Sequence, residues 1–64
     1  MRVYKLVELI DYPDDVIVTI YDYSIMDTVF VGLGEDIPAQ YCADEVVGLE
    51  FPSKNEVIFN IKHQ

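Results

Sequence analysis

The chain has 64 residues, in which 12 Asp and Glu stand against four Lys and Arg for a formal charge of −8, yet 52% of it is hydrophobic. This excludes an acidic disordered tail, which reaches such charge by discarding aliphatic and aromatic residues. It also disfavours direct nucleic-acid binding, because phosphate neutralisation needs clustered cations and Arg2, Lys5, Lys54 and Lys62 are scattered.

Val3, Leu6, Val7 and Ile10 recur at helical spacing and predict a short amphipathic helix, with Lys5, Glu8 and Asp11 on its wet face. Pro13 ends it, since the residue before a proline leaves the α region, and Tyr12-Pro13-Asp14-Asp15 reads as a turn. Val16 to Tyr23 is β-branched and aromatic and predicts a strand, with Val16, Val18 and Ile20 on one face and Ile17, Thr19 and Tyr21 on the other. Residues 22–27 connect it to a returning strand, Thr28 to Leu33. Gly32 and Gly34 at its end predict a bulge or a close backbone approach.

Glu35 to Cys42 reads as an acidic helix start, with Asp36 or Ile37 near the cap and Pro38 in the first turn. Val46 to Phe51 and Glu56 to Lys62 form a second hairpin around Pro52-Ser53-Lys54-Asn55. The order helix, hairpin, short helix, hairpin predicts one α+β domain over residues 1–64. Its core is a four-stranded, mainly antiparallel sheet with two short helices packed on one face. Strand order is not legible.

So small a core is marginal, and a disulfide, a metal or oligomerisation is the usual supplement. Cys42 is the only cysteine, which excludes an intrachain disulfide and suits a reducing cytoplasm. Cys42 and His63 are the strong metal-ligand types; a structural zinc would have to recruit carboxylates, with Asp22 and Asp44 as candidates. The alternative is a core cysteine and a solvated histidine. No apolar run approaches the roughly 20 residues of a membrane span, and residues 1–5 lack a signal-peptide core, so a cytoplasmic protein is expected.

No Walker loop or dinucleotide fingerprint is present, and Cys42 as nucleophile with His63 as base leaves too little chain to form a substrate site, so the expectation is a non-enzymatic binding protein. Its partner would be a basic protein surface, attracted by the negative field. Asp11, Asp14, Asp15, Glu35 and Asp36 fall at turns and a helix start, where they would be displayed as contacts, with Tyr12 as an aromatic anchor.

Leu6-Val7-Glu8-Leu9-Ile10, Tyr12-Pro13-Asp14-Asp15, Val18-Thr19-Ile20-Tyr21-Asp22, Asp36-Ile37-Pro38 with Tyr41, and Glu45-Val46-Val47 resemble small acidic proteins of phages and prophages in Gram-positive bacteria. Those proteins include anti-CRISPR inhibitors of type II effector nucleases, some of which act as duplex mimics and some of which carry a metal. The resemblance implies an inhibitor that works in the cytoplasm of a phage-infected host and blocks nucleic-acid loading and cleavage by the effector. Cys42, where a leucine-like residue is expected after Tyr41, departs from the pattern. A structural or regulatory interaction module, homodimeric through edge pairing of the last strand, is the other expectation.

Overall fold

The computed structural model describes residues 1–10 and 15–63. Its elements are α1 (Val3–Glu8), β1 (Ile17–Asp22), β2 (Asp27–Leu33), a 3-10 turn at Gly34–Asp36, α2 (Ala39–Cys42), β3 (Val46–Ser53) and β4 (Glu56–Ile61). They form the expected α+β domain with one four-stranded sheet, in the order β2-β1-β4-β3. Each hairpin is antiparallel, and the two meet through a parallel β1–β4 pair at the centre of the sheet.

That order corrects the expectation of a dimer formed by edge pairing of the last strand. β4 is interior and bonds to β1 on one side and β3 on the other; β2 and β3 are the edges.

Strand alternation sends successive side chains to opposite faces. Val18 and Ile20 of β1 and Val57, Phe59 and Ile61 of β4 therefore share one face, where they are buried with Val3 of α1 and Ile37. Leu6, Val7 and Ile10, at the predicted helical spacing, pack against this cluster, as do Tyr41 and Cys42. Burying each large apolar side chain contributes roughly 1.5–3 kcal/mol, so these few residues dominate the stability of a chain this short. The N-terminus is tied to the segment before β3: Val3 N–H donates to Asp44 O (3.0 Å) and Val46 N–H to Met1 O (2.9 Å). The Arg2 guanidinium donates to Ala43 O.

Two local features differ from expectation, and a third, the close approach at Gly34, agrees with it. The acidic helix start is split: Glu35 and Asp36 lie in the 3-10 turn, Ile37 is extended, and Pro38 is the N-cap of a one-turn α2. Proline excludes the α conformation from the residue before it, so the two acids and Ala39–Cys42 cannot share one helix. β1 stops at Asp22, because its carboxylate accepts the Ser24 N–H (2.8 Å) and starts the turn. The β2 bulge falls at Val29, between the pairs Ile20–Phe30 and Tyr21–Thr28, whereas Gly34 is the close approach: a Cβ there would lie 2.9 Å from Val7 Cγ1. Among the described residues no helix is long and apolar enough to cross a membrane.

Candidate functional site

Of the six residues expected to contact a partner, Asp11, Tyr12 and Asp14 lie outside the described residues. Asp15, Glu35 and Asp36 are exposed. The Ile17–Leu33 pair opens β1 opposite the end of β2, so Asp15, just before β1, and Glu35 and Asp36, just after β2, belong to the same end of the sheet. Glu56, paired with Ile17, starts β4 at that end too.

Little of this charge is neutralised within the molecule. Among the described residues the ion pairs are the N-terminal ammonium with Glu45 (2.9 Å) and Lys5 with Glu8 (3.8 Å), and His63 Nδ1 lies 2.6 Å from Asp44 Oδ2, a pair that is ionic when the imidazole is protonated. The ammonium, by hydrogen bond and by charge, holds the Glu45 carboxyl below its ordinary value. None of these pairs involves Asp15, Glu35, Asp36 or Glu56.

The four candidate zinc ligands divide. His63 Nδ1 meets Asp44 Oδ2 at 2.6 Å, and the Tyr41 ring packs edgewise on the imidazole with centroids 5.0 Å apart. Asp22 is buried (3% exposed) and is reached by the His63 backbone, whose N–H donates to Asp22 Oδ1 at 3.1 Å. Burial opposes its charge, but the backbone donors of Ser24 and His63, helped by the His63 charge, hold its carboxyl below the ordinary aspartate value. The Cys42 thiol instead lies within reach of Pro38 O (3.6 Å) and Ile37 O (3.8 Å). Among the described residues no three His, Cys, Asp or Glu side chains are grouped to hold a metal. What these groups do is fasten the segment after β4: Asp22 takes the His63 N–H, Asp44 takes its ring, and the Ser24 hydroxyl donates to its carbonyl (2.6 Å).

The face of the sheet opposite the core is open, and two of its polar residues, Glu50 and Asn60, carry no functional signal in the sequence. Thr19 and Tyr21 of β1, Ile58 and Asn60 of β4, and Glu50 of β3 line a concavity of about 300 Å³ there, with Tyr23 at its rim. The Tyr21 and Tyr23 rings stand at 78° with centroids 5.2 Å apart, forming a corner. Asn60, only 5% exposed, donates Nδ2 to Glu50 Oε2 at 3.1 Å. Gly48, paired with Asn60, makes room for that reach: a Cβ at Gly48 would stand 3.4 Å from Asn60 Nδ2. The alternation of Val57, Phe59 and Ile61 already implied that Asn60 faces away from the core. No family model, curated protein or solved structure matches the chain.

Proposed function

We propose that this chain is a non-enzymatic protein-binding module that docks onto a cationic protein surface. The narrower partner, implied by its resemblance to small acidic phage proteins, is a type II CRISPR effector nuclease in the cytoplasm of an infected host. Such effectors hold a guide–target heteroduplex in a positively charged channel, and a compact anion competes for that surface by the same Coulombic attraction. The observation that supports this most is the unneutralised charge: Asp15, Glu35 and Asp36 are exposed at one end of the sheet and take part in no ion pair among the described residues. The deciding experiment titrates the protein into a guided cleavage assay, beside a variant carrying Asp15→Asn, Glu35→Gln and Asp36→Asn. Dose-dependent loss of cleavage, weakened in the variant, is the expected result. Full cleavage at large molar excess removes the nuclease as partner.

A homodimeric interaction module is the second reading, favoured by β3, an edge strand on which Val47, Leu49 and Phe51 are exposed. Light scattering on the eluted protein decides it, because a strict monomer at high concentration excludes that assembly.

A further inference from the structure

The open sheet face points to a more specific partner chemistry than net charge does. Two neighbouring cross-strand rows build it: Tyr21 beside Asn60 beside Gly48, and Thr19 beside Ile58 beside Glu50. The first row ends on bare backbone, so the Asn60 carboxamide leans over Gly48 to meet Glu50 on the diagonal. That bond uses Asn60 Nδ2 and Glu50 Oε2. Among the described residues no side-chain hydrogen bond reaches Asn60 Oδ1 or Glu50 Oε1, and Glu50 has no cation within ion-pair distance. The concavity thus presents two acceptors beside an aromatic corner, over a floor of Ile58 and Thr19.

We propose that this groove receives an arginine side chain of the protein partner, its guanidinium forked between Glu50 and Asn60 and stacked against Tyr21 and Tyr23. Guanidinium suits the site better than ammonium: it is planar, stacks on aromatic rings, and its fixed fork of N–H donors serves two acceptors at once. A second copy of this chain does not supply the group. The chain has one arginine, Arg2, whose guanidinium already donates to Ala43 O, and two copies of charge −8 repel each other. The inference rests on the cationic-partner reading and adds the residues that select the cation.

Nitrogen–proton NMR correlation spectra, recorded while N-acetyl-arginine amide is added at low ionic strength, test it directly. The comparison probes are N-acetyl-lysine amide and the neutral isostere N-acetyl-citrulline amide. Saturable shifts at Thr19, Tyr21, Ile58 and Asn60 are expected with the arginine probe, weaker ones with lysine and none with citrulline. Glu50→Gln should weaken the arginine response about tenfold, the effect of losing a charge-assisted hydrogen bond, and Tyr21→Leu should weaken it by a smaller factor. The spectra themselves report whether each variant folds. Equal responses to arginine and lysine, indifference to Glu50→Gln, or shifts confined to Asp15, Glu35 and Asp36 overturn the groove and leave the broader reading intact. Silence toward both cations at millimolar concentration, together with full nuclease cleavage, removes both. A groove that binds the arginine probe while cleavage proceeds unimpeded retains the arginine site and discards only the nuclease.

Discussion

Asp22 Oδ1 accepts the backbone N–H of His63 at 3.1 Å, so the last residue of β1 holds the segment that follows β4. The same oxygen accepts the Ser24 N–H at 2.8 Å, and one buried carboxylate thereby ends a strand, shapes a turn and anchors a chain end. Asp22→Ala leaves both donors without a partner, and its melting temperature should fall by about 5 °C or more. Asp22→Asn keeps an acceptor and should lose less.

The backbone donors of Ser24 and His63 hold the Asp22 carboxyl below its ordinary value in the folded chain, which fixes the sign of its pH dependence. A depressed folded-state value means that its stabilisation is complete above the unfolded-state value and is lost as pH falls through the folded-state value. Melting temperatures of the native protein and Asp22→Asn, measured from pH 7 to pH 2, should therefore differ most near neutrality and converge in acid. The difference between the curves is the informative quantity, because acidification also relieves the repulsion among the exposed acids. A gap that stays constant down to pH 2 would remove Asp22 as a charged anchor.

Gly34 faces α1 so closely that a Cβ would lie 2.9 Å from Val7 Cγ1. Gly34→Ala should destabilise by about 1–3 kcal/mol through overpacking. Val7→Ala alone leaves a void, but combined with Gly34→Ala it makes room for the new methyl group. Chemical denaturation of the four-member cycle should show the double variant losing less than the two single losses added together. Simple additivity would mean that the helix moves aside freely.

The contrast between Phe59 and Asn60 explains how much was legible in the sequence. Alternation around Val57, Phe59 and Ile61 identifies a buried strand face from residue types alone, and helical spacing does the same for Val3, Leu6, Val7 and Ile10. These patterns are local, so the elements and the α+β class follow from them. The parallel β1–β4 pair is set by packing between residues some 40 positions apart, and no local pattern encodes it. The open groove was hidden for the same reason: Glu50 and Asn60 are ordinary polar residues until the β3–β4 register puts them on one face beside Tyr21. Asp44 and His63, ligand types by their chemistry, do meet, whereas the Cys42 thiol turns toward the carbonyls of Ile37 and Pro38.

Met26, in the turn between β1 and β2, has φ of 55° and is the one non-glycine residue with positive φ among those described. A side chain in the left-handed region costs roughly 1–2 kcal/mol, which glycine avoids while losing some of that gain to its freer unfolded chain. Met26 is also 68% exposed, so removing its side chain forfeits little packing. Met26→Gly should therefore stabilise by about 0.5–1 kcal/mol, read as a higher denaturation midpoint at unchanged slope. Destabilisation would mean that the Met26 side chain contributes packing that outweighs the strain.

Salt should act with opposite signs on the free protein and on the proposed complex with a cationic surface. In isolation the exposed carboxylates repel one another, and raising ionic strength from about 10 mM to 150 mM shortens the screening length from ~30 Å to ~8 Å. The melting temperature at pH 7 should consequently rise across that range. Asp15→Asn with Asp36→Asn should raise the low-salt value and flatten the dependence, because those acids take part in no ion pair among the described residues. Association with a cationic surface should weaken over the same range, since screening removes the attraction along with the repulsion. A general salt effect on hydrophobic packing would strengthen folding and burial at an interface together, so opposed slopes would identify the outward charge as the common cause. A melting temperature that falls with added salt would instead show that attractive pairs outweigh repulsion on this surface, and the electrostatic basis of docking would be lost with it.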